Sequence, residues 1–469
     1  EWDMATVMPK DSRKSRISQI NLINENKKRI FEHIKKREIF KFAVDEKLDE
    51  DDKRNFYLMK RKFDYFTEIP IKLINENSQL SFECEGLWRE ARVKNNFNIV
   101  KNKLSKLFKT IKKKSEILSE IWEMDNYDSL VSLYDDSFSV KEIDLFFNDL
   151  ESFIKKKIDV IMLRQKSEKK INLKSSLTEE EQFKLSKYFM KKFGFNFSKG
   201  RIDKSLHPFC GGYSDDIRIT TRFDNRDSFN CFEALMHETG HALYEFGLPK
   251  KWKNQPIGNA GGMSLHESQS LFIEMQLVKS PEFSIFLEKI FREKFKKKGN
   301  EWKFNNLFRI RSEVKKSFIR VDADEVSYPL HIFHRFNVEK KLLLNNESIN
   351  NLPEIWNEEF KRIFNLDVKT DNDGCLQDIH WFSGAFGYFP SYCIGAMISA
   401  QIKYFLRKNF KSFQKNLENG NFKPILSWLK KNIHSNGRKY LTNELLKITT
   451  GTKLKTSFYK KHIIDRYMN

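Results

Sequence analysis

His237-Glu238-Thr239-Gly240-His241 is the stretch around which this chain of 469 residues is organised. It reads H-E-x-x-H, and a helix is the local structure that gives the pattern a use. Asp227 or Ser228 can cap the start of that helix, and Gly247 followed by Pro249 can end it. Residues four apart in a helix share a face, so both imidazoles point the same way. Two ring nitrogens at one-turn spacing can fill two corners of a tetrahedral zinc site. Glu238 stands beside them, near the open metal position, where it can take a proton from water. Gly240 weakens the helix by roughly 1 kcal/mol relative to Ala, and a small residue there suits close packing beneath the site. The plainer reading is a helix with two polar residues on its buried face.

A zinc site of this kind needs a third protein ligand. The extended pattern H-E-x-x-H-x-x-G-x-x-H is absent, because Tyr244 stands in place of its Gly and Gly247 in place of its third His. A carboxylate from a following helix is the other solution. Glu267 in Ser264-Leu265-His266-Glu267-Ser268-Gln269 is the candidate. Two other readings stay open on spacing alone. Ser264-x-x-Glu267 is also a capping box, and Glu274 is a rival further along the helix.

Outward from the motif the chain reads as helix after helix. Over 104–122 the apolar residues Leu104, Leu107, Phe108, Ile111, Leu118, Ile121 and Trp122 fall on one face. Over 140–162 the same spacing recurs with Ile143, Phe146, Phe147, Leu150, Ile154, Ile158 and Ile161. Thr178-x-x-Glu181 is a capping-box start for a helix running to Gly194. Gly200, Pro208, Gly211 and Gly212 then mark a loop. Residues 216–223 alternate Ile217, Ile219 and Thr221 with polar neighbours, which predicts one short strand and a small sheet. A soft boundary near residue 200 divides an N-terminal helical region (1–200) from a region carrying the motif (201–469).

Composition narrows the alternatives. Hydrophobic residues make up 39% and include 43 Phe, enough for a substantial core, which argues against disorder. Only 18 Gly and 10 Pro argue against collagen-like and turn-rich β chains. The 85 basic and 64 acidic residues give a formal charge of +21. That raises nucleic acid, anionic membrane or acidic substrates as partners. The Lys runs at 112–114, 155–157 and 296–298 are dispersed among Glu and Asp, which reads as a solvated surface. Five scattered cysteines without C-x-x-C predict a reducing, cytoplasmic setting. No secretory signal opens the chain. The uncharged stretch 381–402 holds Gly384, Gly387, Gly395, Pro390 and three Ser, so it reads as a buried segment of a soluble protein.

With these motifs in order, the chain resembles the carboxypeptidase Taq family of zinc metallocarboxypeptidases. The D-x-R-x-T motif matches Asp216, Arg218 and Thr220, and the metal motif matches His237 to His241. H-E-S-Q matches His266, Glu267, Ser268 and Gln269, and I-R-x-x-A-D matches Ile319, Arg320, Ala323 and Asp324. G-x-x-Q-D-x-H-W matches Gly374, Gln377, Asp378, His380 and Trp381. His207-Pro208-Phe209 and Tyr388-Phe389-Pro390-Ser391-Tyr392 also resemble family stretches. Trp2-Asp3 and Met8-Pro9 resemble an early family segment, which implies a first helix upstream of Glu1. Leu271 departs from the pattern, where the family often carries Arg, and the N-terminal half is unusually rich in Lys and Asn.

The resemblance implies a mainly α fold, a large helical metallopeptidase body with a long central groove and a very small β-sheet. It implies Glu267 as the third ligand of one zinc ion, with cobalt or manganese as substitutes, and usually a homodimer. The implied activity is release of single C-terminal amino acids from peptides. Glu238 is the base. His380, Tyr388 and Tyr392 are candidate donors to the oxyanion. Arg320 and Arg218 lead as receptors for the substrate carboxylate, ahead of Arg222 and Arg438, because a planar guanidinium binds a carboxylate through two bonds. Arg320 could instead pair with Asp324. The strand at 216–220 could add a peptide to its edge. His266, Gln269 and Asp378 are expected to orient the ligands. A zinc oligopeptidase cutting inside peptides is the alternative. A basic nucleic-acid-binding protein with a vestigial metal site is the remote one, and an intact Glu238 argues against it.

Overall fold

The computed structural model describes all residues except 1, 45, 174–175, 206–207, 224–226 and 228, and the backbone alone at 4, 5, 10, 13 and 44. His207 of the His207-Pro208-Phe209 stretch and the Ser228 cap therefore lie outside the described residues.

Apolar residues at helical spacing become long helices wherever a second such stripe can cover them. The N-terminal half is built from α1 (Arg13–Lys36), α2 (Glu50–Glu68), α3 (Ile71–Lys94), α4 (Asn98–Trp122) and α5 (Val140–Ser167). In α4 the predicted stripe is buried from Leu104 to Leu118, while Ile121 and Trp122 are half-buried at the end. In α5 Ser139 and Glu142 form a capping box that fixes the start. Thr178 and Glu181 do the same for α6 (Glu179–Lys192), which stops before Gly194, where φ is +90°. One residue of the Lys runs departs from the surface reading. Lys114 is buried on α4, and burial pushes its ammonium down to about 8.

The glycine-marked loop is the main correction to the sequence reading. It forms two further strands, β1 (Gly200–Lys204) and β2 (Phe209–Tyr213), beside β3 (Asp216–Thr221). The order is β1-β3-β2, with β1 parallel and β2 antiparallel to β3. Phe209-Cys210-Gly211-Gly212-Tyr213 has no β-alternation, so only the partner strand makes it a strand. Gly212 is needed there: at φ +113° a Cβ would stand 2.0 Å from the Asp216 carbonyl oxygen across the hairpin. Because β3 is central, both of its edges are occupied. Peptide addition to β3 is therefore excluded.

The remaining helices follow the sheet in the chain. They include α7 (Asn230–Gly247), α8 (Met263–Leu271), α9 (Tyr328–Leu343), α10 (Pro390–Asn409) and the C-terminal α11 (Thr456–Tyr467). A π-turn, Phe272–Val278, extends α8. The expectation of a mainly helical body with a small sheet holds. Much of the 381–402 stretch is the buried first half of α10, and no described helix is long and apolar enough to cross a membrane. All five cysteines are free.

The principal core draws residues from Leu80 to Tyr467 into one cluster, built mainly of Leu, Phe and Ile. Phe189 on α6 packs against Phe232 on α7 at 5.2 Å and against Phe283 at 5.1 Å. This contact holds the metal-motif helix against its neighbours. Replacing Phe189 by Ala should cost about 3–5 kcal/mol, mostly as an unfilled cavity. Urea unfolding followed by far-UV circular dichroism measures it, and an unchanged midpoint would contradict this packing role.

Candidate active site

Three helices approach one another closely because glycine stands at the points of contact. A Cβ on Gly240 of α7 would lie 2.5 Å from both the Gln269 carbonyl oxygen and the Ser270 Cα on α8. A Cβ on Gly395 of α10 would lie 2.9 Å from the Cβ and Cγ of Glu267. These contacts press α8 against α7 and turn the Glu267 carboxylate toward the two imidazoles. Glu267 Oε1 lies 3.7 Å from His237 Nε2, and Oε2 lies 3.4 Å from His241 Nε2. One donor atom from each of the three residues falls within 4.8 Å of the others. Two imidazole nitrogens and one carboxylate oxygen are the donor set of open, catalytic zinc sites. The capping-box reading of Glu267 does not hold, because α8 has no side-chain cap and Glu267 is buried in the site.

Glu274, the rival ligand, has a different place. It sits on the π-turn, a geometry often found at functional sites, and its Oε2 lies 2.9 Å from His237 Nδ1. That contact leaves Nε2 as the metal-facing nitrogen. Lys279 bonds Glu274 at 3.2 Å and Glu233 at 3.3 Å, and Arg311 donates to Glu233 at 2.7 Å. Burial opposes ionisation of Glu274, but Lys279 and His237 outweigh it and hold the carboxyl at about 2. Burial likewise opposes a charge on His237, yet Glu267 and Glu274 raise it to about 10. The surroundings of His237 thus favour a cation.

His266 supports His241 by stacking, with ring centroids 4.6 Å apart, while its Nε2 lies 2.9 Å from Glu245. Gln269 does not orient a ligand as expected. It faces away and pairs with His434 Nε2 at 3.0 Å. Gly247 ends α7 as expected, but for packing reasons: a Cβ there would stand 2.6 Å from His434 Cβ. Asp227 caps the start, accepting from the backbone N–H of Phe229 and Asn230.

Glu238 is 7% exposed. Burial pushes its carboxyl up to about 7, with His237 opposing and Glu267 and Glu274 assisting. The Cys210 backbone on β2 lies close enough to oppose that rise, though it is the smallest of these influences. A buried carboxyl able to change protonation near neutral pH suits a general base.

The Arg320 turn and the aromatic segment after Asp378 form the other wall. Arg320 lies in a 3-10 turn, so Asp324 is not one helical turn away from it. Asp324 instead accepts from the Ser327 hydroxyl and the backbone N–H of Val326 and Ser327. Arg320 gives Nε and Nη2 to Asp378 at 2.9 and 2.7 Å. Arg335 Nε takes the second Asp378 oxygen at 2.8 Å. Asp378 thus holds two arginines and no metal ligand. His380 Nε2 lies 2.9 Å from the Tyr392 hydroxyl, and burial lowers His380 to about 3, so it is neutral. Tyr388 lies 5.5 Å from His380 and 5.2 Å from Tyr392 between ring centroids. After burial, the field of Glu267 is among the influences raising both tyrosines. The fork of Arg218, on β3, is taken by Asp216, and its guanidinium lies over the Trp2 ring. Arg222 is exposed, and Arg438 pairs with Asp136 at 3.1 Å.

The sequence model of the carboxypeptidase Taq (M32) metallopeptidase family matches residues 1–467. The chain belongs to this family. A carboxypeptidase 1 of Bacillus subtilis (strain 168) is 30% identical over 471 residues, spanning 100% of this chain and 94% of its own. Metallocarboxypeptidase 1 of Trypanosoma cruzi superposes with a TM-score of 0.91 at 30% identity, covering 100% of this chain and 95% of that one. A Pyrococcus furiosus carboxypeptidase superposes with the same TM-score at 29% identity, covering 99% and 94%. The protein is a metallopeptidase of the carboxypeptidase Taq family, a peptide-bond hydrolase, and the family implies a divalent metal.

Three parts of this carboxypeptidase site escaped sequence reasoning. Gly395 carries no motif signal, although its place in an uncharged helix hinted at a close contact. Arg335 and Tyr328 lie on α9 among apolar residues. Tyr328 is buried, and Glu267 and Arg320 are the charges that most affect its hydroxyl after burial. A polar stripe at helical spacing within an otherwise apolar helix was the available signal.

Replacing Glu274 by Gln should weaken metal affinity roughly 10–100-fold with the fold retained. Competition with a chromophoric chelator measures it. Gly395→Ala should weaken affinity in the same assay, because Glu267 must shift. Unaltered affinity in both variants would contradict the supporting roles given to these residues.

Proposed function

We propose that this protein is a zinc-dependent metallocarboxypeptidase that removes C-terminal amino acids from peptides one at a time, with broad side-chain tolerance. The observation that carries the reading is the convergence of His237, His241 and Glu267 beside a buried Glu238. The two-nitrogen, one-oxygen donor set suits zinc and leaves a coordination position open. Zinc held there supplies Lewis acidity, to water and to the scissile carbonyl.

Glu238 takes the proton of the attacking water and returns one to the leaving amine. Arg320 receives the substrate's terminal carboxylate. Asp378 engages its Nε and Nη2 and leaves Nη1 for the ligand. Arg218 is held by Asp216 through the same two nitrogens, but its guanidinium lies over Trp2 whereas that of Arg320 lies over Tyr392, which makes Arg218 the weaker choice. Hydrogen bonds from His380, Tyr388 and Tyr392 stabilise the oxyanion. The neutral His380 and the Tyr392 hydroxyl form one hydrogen-bonded pair that can donate to it. The family resemblance extends the proposal to a homodimer, and five free thiols suit a reducing cytoplasm.

Replacing Glu238 by Gln should leave bound metal at the wild-type level and lower kcat by roughly 100-fold or more. Wild-type turnover would remove Glu238 from the role of base. A C-terminally amidated peptide should lose most of its cleavage relative to the free acid. Equal cleavage of the two would point to an oligopeptidase.

A further inference from the structure

Glu339 lies on α9, fully buried among aromatic side chains. A carboxylate in such surroundings is expensive unless its oxygens are hydrogen-bonded. Three donors meet it. Trp381 Nε1–H donates to Oε1 at 2.7 Å. The Tyr127 hydroxyl and the Gly387 backbone N–H donate to Oε2 at 2.6 and 2.9 Å. Two of these partners adjoin residues of the reaction: Trp381 follows His380, and Gly387 precedes Tyr388. A single carboxylate therefore grips both ends of the turn that separates the two side chains.

The far side of that turn is blocked. Gly387 has φ +86°, and a Cβ there would lie 2.7 Å from the Leu130 carbonyl carbon and 2.8 Å from the Val131 nitrogen. Tyr127 and Leu130 belong to the same short helix, Asn126–Ser132. That helix and Glu339 thus enclose the backbone at Gly387. One turn earlier on α9, Arg335 holds Asp378 and Gln377. Residues four apart share a helical face, so Arg335 and Glu339 fix the turn at positions 377–378 and again at 381 and 387. Burial pushes the Glu339 carboxyl up to about 7. The protonated form can direct its hydrogen only toward Tyr127, because Trp381 and Gly387 solely donate. Both protonation states keep the grip on the turn.

We propose that Glu339 is a positioning residue for the hydrolysis: it sets the separation of His380 and Tyr388 through Trp381 and the Gly387 backbone. The proposal rests on the oxyanion role assigned above to those two side chains. Glu339 itself touches no reacting atom, and no metal ligand depends on it for a hydrogen bond.

The test uses kcat and KM per molecule of bound metal, with a double-mutant comparison. Gln at 339 offers one acceptor oxygen where two are needed, so its amide N–H opposes the Trp381 or the Gly387 donor. Glu339→Gln should lower kcat roughly 30- to 100-fold, the loss expected of a misplaced catalytic group, with KM and bound metal unchanged. Trp381→Phe removes the opposed donor together with one of the two holds on the turn, and should lower kcat about threefold to tenfold. The double variant should return to the Trp381→Phe level, since the conflict is then gone. Wild-type kcat in Glu339→Gln, or losses that multiply in the double variant, would overturn the proposal. Tyr127→Phe keeps the claim testable if Glu339→Gln does not fold. It should lower kcat about threefold to tenfold with KM unchanged, and a wild-type kcat there would overturn it. His380→Ala and Tyr388→Phe separate the two claims. Full activity in both overturns the oxyanion role beneath the proposal. Losses in both alongside a fully active Glu339→Gln overturn the positioning alone.

Discussion

The close approach of α7, α8 and α10 is the constraint on which the site depends. Backbone stands where side chains would normally keep helices apart, at Gly240 against Gln269 and Ser270 and at Gly395 against Glu267. Helices in ordinary contact keep their axes about 8–10 Å apart. Here the missing Cβ atoms let two imidazoles and a carboxylate from separate elements reach one small volume. The contact has an intrinsic penalty, because glycine weakens a helix. The aromatic core around Phe189, Phe232 and Phe283 offsets it by fixing the helices from behind.

Around this point the protein buries an unusual amount of charge. His237, Glu274, Lys279, Glu233 and Arg311 form one chain of contacts, and Arg320, Asp378 and Arg335 form another. Buried ion pairs add little to stability compared with apolar packing of the same shape. Their value here is geometric. The first chain selects which imidazole nitrogen faces the metal, and the second leaves one edge of Arg320 free beside Tyr392. The small sheet joins the same scheme, since β2 brings the Cys210 backbone to Glu238.

Much of this was legible in the chain itself. Helical spacing located α4 and α5, the Thr178 box located α6, and one-turn spacing put His237 and His241 on a common face. What stayed hidden depended on contacts distant in sequence. β2 has a Gly-Gly pair and no alternation, so its strand exists only through pairing with β3. Glu267 and Glu274 could not be ranked from spacing, because both lie on faces that a regular helix presents similarly. The π-turn at Phe272–Val278 separates them in space. The partner of Arg320 was hidden for the same kind of reason: the local alternative, Asp324, serves the start of α9, and the partner found is 58 residues away.

The central claim is that three side chains share one ion. Anomalous diffraction from crystals grown with zinc tests it most directly. One strong peak should appear, about 2.0–2.2 Å from His237 Nε2, His241 Nε2 and a Glu267 oxygen, with Glu274 bonded to the opposite nitrogen of His237. A peak held by a different set of residues, or one omitting Glu267, would contradict the account.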